Sequence, residues 1–271
     1  MTSRNAYAKT QRERAGRSVR WRHGLLVISL TLLGLLCGSC GTLTTNATSA
    51  AGTRCPDAVQ QLVDRQATPD LEISLVVDGS GSFMGDHPGS HVFVAQQVAL
   101  IVDGAVHKGA AFRVIVFGGS AGNARTVLEC PVMAVRYRNE AARAAKLAYL
   151  QQVARDQVWL AVRNGRPPMA RPGTSVVGGY VALADAAPLT GGQREALMLS
   201  DGIALPEMAV AVDLRKFSSV GMYGVGQTEP PPSTREVDRL AQNWHTWLTR
   251  QGAQQVVVST QGYSSKAGGA P

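Results

Sequence analysis

The sequence predicts an α/β fold: a doubly wound, mostly parallel six-stranded sheet with helices on both faces. Three observations carry that expectation. Short β-rich apolar runs alternate with longer helical runs between residues 71 and 258, which is the order that builds parallel sheets through helical crossovers. Several of those β-rich runs are apolar on consecutive residues, as strands covered on both faces must be. Loops rich in Asp, Ser and Thr follow the strands, where open parallel sheets place their ligands.

In chain order, residues 71–77 read as the first strand. Residues 91–108 read as a helix with a narrow polar stripe through Gln96, Asp103 and His107. Residues 112–117 form the second strand, and a Gly-rich turn at 118–123 leads to a third at 125–129. An Ala-rich helix over 139–163 and another helix over 175–187 follow. Residues 196–199, 220–225 and 255–258 complete the strands, separated by helices near 206–216 and over 233–250. The last helix opens on a capping box, Ser233-x-x-Glu236, behind the stop Pro230-Pro231-Pro232, and Val237, Leu240, Ala241, Trp244 and Leu248 share one face. No internal repeat is visible.

The formal charge of +8 is concentrated at the N-terminus, where residues 1–23 hold seven Lys/Arg against Glu13. From Cys40 onward the chain is only +2, too weak a field for nucleic-acid binding. The basic block runs into the uncharged, Leu-rich residues 24–37, the architecture of an export signal. Those 14 apolar residues fall short of the roughly 20 that span a bilayer, which favours cleavage over a permanent anchor. Leu36-Cys37-Gly38-Ser39-Cys40-Gly41 resembles a bacterial lipoprotein lipobox with Cys40 as the acylated residue, although Cys37 stands where such boxes usually carry Leu. Residues 1–39 therefore read as the export signal, 40–54 as a flexible tether, 55–260 as the folded domain and 261–271 as a disordered tail. Cys55 and Cys130 remain as a pair in the folded part. In an oxidising compartment they most simply form one disulfide, the alternative being two separate buried thiols.

Three loops converge chemically. The first strand ends in Asp78-Gly79-Ser80-Gly81-Ser82, a helix opens after Pro172-Gly173-Thr174-Ser175, and the fourth strand ends in Ser200-Asp201-Gly202. Two carboxylates with hydroxyls, and no His or Cys, suit Mg²⁺ or Mn²⁺ better than Zn²⁺ or Cu²⁺. Gly79 and Gly81 are expected to allow a tight path that turns the intervening side chains to one point. The alternative for each loop alone is that Ser80, Ser82 or Asp201 merely caps a helix.

At these positions the sequence resembles the von Willebrand factor type A domain family and its metal-ion-dependent adhesion site, whose Asp-x-Ser-x-Ser, distant Thr and distant Asp map onto Asp78, Ser80, Ser82, Thr174 and Asp201. The resemblance implies an envelope-anchored binding module in which one metal position is completed by an acidic side chain of a protein partner. The long Ala-rich segment before Thr174 departs from the family pattern. The rival in another class is an α/β serine hydrolase using Ser120 of Gly118-x-Ser120-x-Gly122, with Asp201 and His245 in order. Against it, the β-prone residues 125–129 follow where a helix is required. A dinucleotide fingerprint at Gly79-x-Gly81 fails at Met84, and His87 and His91 read as rim residues because no third His or Cys accompanies them.

Overall fold

Strands β1 (Leu71–Asp78), β2 (Ala111–Phe117), β3 (Arg125–Cys130), β4 (Gln193–Leu199), β5 (Ser219–Tyr223) and β6 (Val256–Ser259) form one sheet in the order β3-β2-β1-β4-β5-β6, in a computed structural model of the chain. Residues 55–85, 88–118, 124–165, 175–203, 210–228 and 230–264 are described. They belong to one unit, residues 47–271; the predicted export signal, the tether and Cys40 lie outside the described residues. All pairings are parallel except β2 with β3, which is antiparallel; residues 119–123 of the expected turn lie outside the described residues.

The two faces of the sheet follow from alternation along β1 and β2. Ile73, Leu75 and Val77, with Phe112, Val114 and Val116, pack under helices α3 (Pro88–Lys108) and α4 (Glu140–Gly165). Val76, Ile115 and Phe117 face the other way, with α5 (Val176–Asp185) and α6 (Thr234–Arg250). Helix α3 is long and apolar enough to cross a bilayer, yet Val94, Val98, Ile101, Val102 and Ala105 are buried in the core. It starts three residues before the expected position, at Pro88, a residue suited to a first helical turn. Helix α4 is capped by Asn139, whose Oδ1 accepts the Ala142 amide at 2.8 Å, and it buries the stripe Leu150, Ala154, Val158, Ala161 and Val162. Two single-turn helices were not foreseen, α1 (Asp57–Gln60) and α2 (Gly81–Met84).

The helix expected near 206–216 is not found over its described part, residues 210–216. Gln251, just past α6, competes for its backbone: Gln251 Oε1 accepts the Val212 amide at 2.7 Å and its carbonyl accepts the Leu214 amide at 3.0 Å. Asp213 Oδ1 takes the Arg215 amide in a local turn, so three donors that a helix would use are spent elsewhere. At α6 the expected capping box is present. Ser233 Oγ accepts the Glu236 amide at 3.4 Å, and Glu236 Oε2 accepts the Ser233 amide at 2.9 Å. Both groups of Ser233 hold the Glu236 carboxyl below its ordinary pKa. We expect Ser233→Ala to cost about 1 kcal/mol, read as a lower denaturation midpoint at unchanged slope.

A buried ionic cluster at the amino-terminal end of the strands was not anticipated. Glu72 is fully buried on the α5 face, with Arg113 Nη1 and Arg194 Nη2 each 3.2 Å from its Oε1. Glu72 Oε2 accepts the Leu189 amide at 2.7 Å, and Arg113 donates to the Ala187 carbonyl at 2.6 Å. The cluster thereby pins the α5–β4 connection to the sheet. At the same end Cys55 and Cys130 form a disulfide, with Cα atoms 4.5 Å apart. Val63 bridges Val135 alongside it, and the Asp64 amide donates to the Ala134 carbonyl at 2.7 Å.

Candidate metal centre

Register brings the site together. Val77 pairs with Leu199, so the next residues, Asp78 on β1 and Ser200 after β4, emerge side by side at the carboxyl end of the sheet. Ser200 Oγ donates to Asp78 Oδ2 at 2.7 Å, and the Ser80 amide donates to Asp78 Oδ1 at 2.9 Å. Asp201 Oδ1 accepts the Ile203 amide at 2.9 Å. Asp78, Ser200 and Asp201 are fully buried and Ser80 nearly so, while Ser82 is exposed. Ser80 Oγ and Ser82 Oγ stand 3.1 Å apart.

These contacts bear on the capping alternative. Ser80 occupies the N-cap position of α2, but its side chain accepts no capping hydrogen bond. Its hydroxyl is turned to Ser82 instead. Asp201 does accept a local amide through Oδ1, yet its buried Oδ2 has no hydrogen-bond partner among the described residues. The roles expected of the two glycines separate. The Gly79 amide donates to the Phe117 carbonyl at 2.7 Å, and a Cβ at Gly79 would stand 3.0 Å from that oxygen, so this position needs its close approach. A Cβ at Gly81 would meet nothing within 4 Å, so Gly81 is not sterically required.

Electrostatically the site lacks a cation. Neither Asp78 nor Asp201 makes an ion pair among the described residues. Burial, and then the neighbouring Asp201 charge, push the Asp78 carboxyl up to about 7, against the hydrogen bonds from Ser80 and Ser200. Burial likewise raises Asp201, eased by the Ile203 amide and by the Ser82 hydroxyl. Two buried like charges beside two hydroxyls form a donor set for a hard divalent ion. Among the described residues no three His, Cys, Asp or Glu side chains cluster together, so nothing there offers a zinc-type centre.

Thr174 and Ser120 lie outside the described residues. The residue after Thr174, Ser175, caps α5 by accepting the Gly178 amide at 3.1 Å. The next described element after β2 is antiparallel β3 rather than the helix that a nucleophile elbow feeds, and His245 lies exposed on α6. His91 Nε2 contacts the Gly85 carbonyl at 2.7 Å and its ring packs on Trp159 with centroids 4.4 Å apart; His87 is outside the described residues. Two supporting residues were given no role from sequence. Ser200 joins the loops by donating to Asp78 and accepting the Gly202 amide at 3.1 Å. Trp244 of α6 donates from Nε1 to the Gly202 carbonyl at 2.8 Å, and Gly202 itself adopts φ +66°, where a Cβ would stand 3.0 Å from that nitrogen.

The strand order, the single antiparallel edge strand and the helices on both faces decide the fold class. The fold is doubly wound α/β, the class that the sequence predicts. Neither a family model nor a curated protein matches this sequence. Among solved structures, the chain is similar to an aerotolerance-related membrane protein from Bacteroides fragilis, with 17% identity over 73% of this chain and 94% of that one and a TM-score of 0.41. It is also similar to proximal thread matrix protein 1 of the mussel byssus (13% identity, 72% and 44% of the two chains, TM-score 0.38). A third similarity is to manganese-loaded TRAP protein from Plasmodium vivax (13% identity, 72% and 58%, TM-score 0.31).

Proposed function

We propose that this chain is an exported, envelope-anchored protein-binding module whose contact depends on one Mg²⁺ or Mn²⁺, and that it is not an enzyme. The observation that carries the reading is the pair of buried carboxylates, Asp78 and Asp201, set beside the Ser80–Ser82 hydroxyl pair, with Asp201 Oδ2 making no hydrogen bond among the described residues. Asp78, Ser80, Ser82, Thr174 and Asp201 hold the ion, directly or through water. Bound among mainly neutral hydroxyls, it offers an electrophilic position to a carboxylate on a partner protein. The chain's own residues do the positioning. Ser200 fixes the orientation of Asp78, the Ile203 amide fixes Asp201, and Trp244 holds the turn at Gly202. Anchoring is assigned to the N-terminal segment, through a lipid on Cys40 of the processed chain, which puts the domain at the outer face of the cell membrane.

The test is capture of envelope proteins by the full chain in Mg²⁺ against chelator, with the Asp78→Ala variant alongside and circular dichroism confirming equal folding. Capture is expected to require the cation and to be lost in the variant. Capture unchanged in chelator would place the contact surface elsewhere.

A further inference from the structure

At the end of the sheet opposite Asp78, residues 131–146 carry Arg136, Arg138, Arg143 and Lys146 against one acid, Glu140. Arg136, Tyr137, Arg138, Asn139 and Lys146 line one shallow surface pocket at the start of α4, the positive end of a 26-residue helix. Acids offset only part of this charge. Arg136 lies 2.7 Å from Asp64 and Arg143 lies 3.1 Å from Glu140, whereas Arg138 and Lys146 make no ion pair among the described residues. Lys146 instead donates to the Arg136 carbonyl, which keeps this cation beside the 136–139 turn. Tyr137 is 52% exposed among them, with the Arg143 guanidinium 5.7 Å from its ring centre.

We propose that this basic, Tyr-bearing surface docks on the anionic lipid headgroups of the membrane that holds the chain, a proposal that rests on the N-terminal anchoring read above. Position argues for that occupant. Cys55, the first described residue, is bonded to Cys130, six positions before Arg136, so the chain leaves the domain toward its N-terminus from this same end. Only 14 residues, 41–54, separate Cys40 from Cys55. Fourteen residues reach at most about 50 Å. A domain held that close keeps its tether end near the headgroups. Uncompensated Lys and Arg beside an exposed Tyr suit that interface: the cations meet lipid phosphates while the ring sits at headgroup depth.

The test reconstitutes the processed chain, beginning at Cys40, on vesicles of phosphatidylcholine, with or without phosphatidylglycerol. Flotation reports anchoring, and amide hydrogen exchange over 131–146 reports docking. Exchange should slow about tenfold only with the anionic lipid, recover in high salt, and fail to slow in R138E/K146Q. That variant leaves the Asp64–Arg136 pair intact and keeps a donor at position 146. Equal exchange on both lipids in a chain that floats overturns the proposal while sparing the anchor, and gives the patch to an acidic protein. Slowing that the variant retains also overturns it, and assigns the lipid contact to other residues of the domain. Failure to float on phosphatidylcholine, with variant-sensitive slowing on anionic vesicles, keeps the docking surface and removes the anchor.

Discussion

Without divalent cation, the folded domain should lose stability as pH rises from about 4.5 to 8, and millimolar Mg²⁺ should restore it. The sign follows from Asp78. Its native carboxyl is raised from 3.8 to about 7, so between those values the native state holds a proton that the unfolded chain releases. Stability from this group is complete below the unfolded pKa and falls until the native carboxyl ionises. A shift of that size corresponds to on the order of 4 kcal/mol. Asp201, also raised by burial, acts in the same direction. A saturating cation replaces the proton and stabilises the native state by about 3 kcal/mol at a hundredfold excess over its Kd. Asp78→Asn separates the two effects. The amide can accept from the Ser80 N–H and donate to Ser200 Oγ, keeping the loop contacts of Asp78 while removing its charge. The variant should be more stable than the wild type in chelator at pH 8, show a flatter pH profile, and gain nothing from Mg²⁺. Denaturant midpoints at pH 5 and pH 8, in Mg²⁺ and in chelator, check all three. A metal-free wild type as stable at pH 8 as at pH 5 would remove the electrostatic basis for the cation site.

The second large effect is expected at the disulfide. Cys55 and Cys130, separated by 75 positions, are both buried in the core cluster. In the chain-entropy account a loop of this length contributes roughly 4 kcal/mol through the unfolded state. The double variant Cys55→Ala/Cys130→Ala, which leaves no odd thiol in the folded part, should lose about that much in chemical denaturation. Reduction of the wild type should lower its midpoint similarly. A loss under about 1 kcal/mol would mean that the Val63–Val135 bridge and the Asp64–Ala134 hydrogen bond hold this segment alone.

What could be read in the sequence was whatever one stretch of chain decides locally. Strands β1 and β2 were legible because nearly every residue in them is buried, and the capping box of α6 because four consecutive residues make it. Asp78 and Asp201 were legible because carboxylates directly after apolar strands are unusual and chemically complementary. Properties that depend on distant partners were not legible. The helix expected near 206–216 loses its backbone donors to Gln251, some 40 positions away. Glu72, Arg113 and Arg194 are single charges in separate strands, and only the sheet register shows that they meet, with Glu129 of β3 pairing with Arg113 to balance the second guanidinium. The same holds for Trp244, whose indole was assigned to an apolar face and also closes a hydrogen bond to Gly202.

The covalent loop between Cys55 and Cys130 also has a mechanical meaning. Asp78, Ser80 and Ser82 all lie inside it. A load applied between the N-terminal side of Cys55 and any point beyond Cys130, Asp201 among them, would pass through the sulfur–sulfur bond before it could draw out the polypeptide between. The 74 residues between the two cysteines, with β1 and its loop among them, cannot be spooled out from the tethered end while that bond is intact. Within the loop, β1 is held by parallel ladders to β2 on one side and β4 on the other, so a pull along its axis would load both ladders at once.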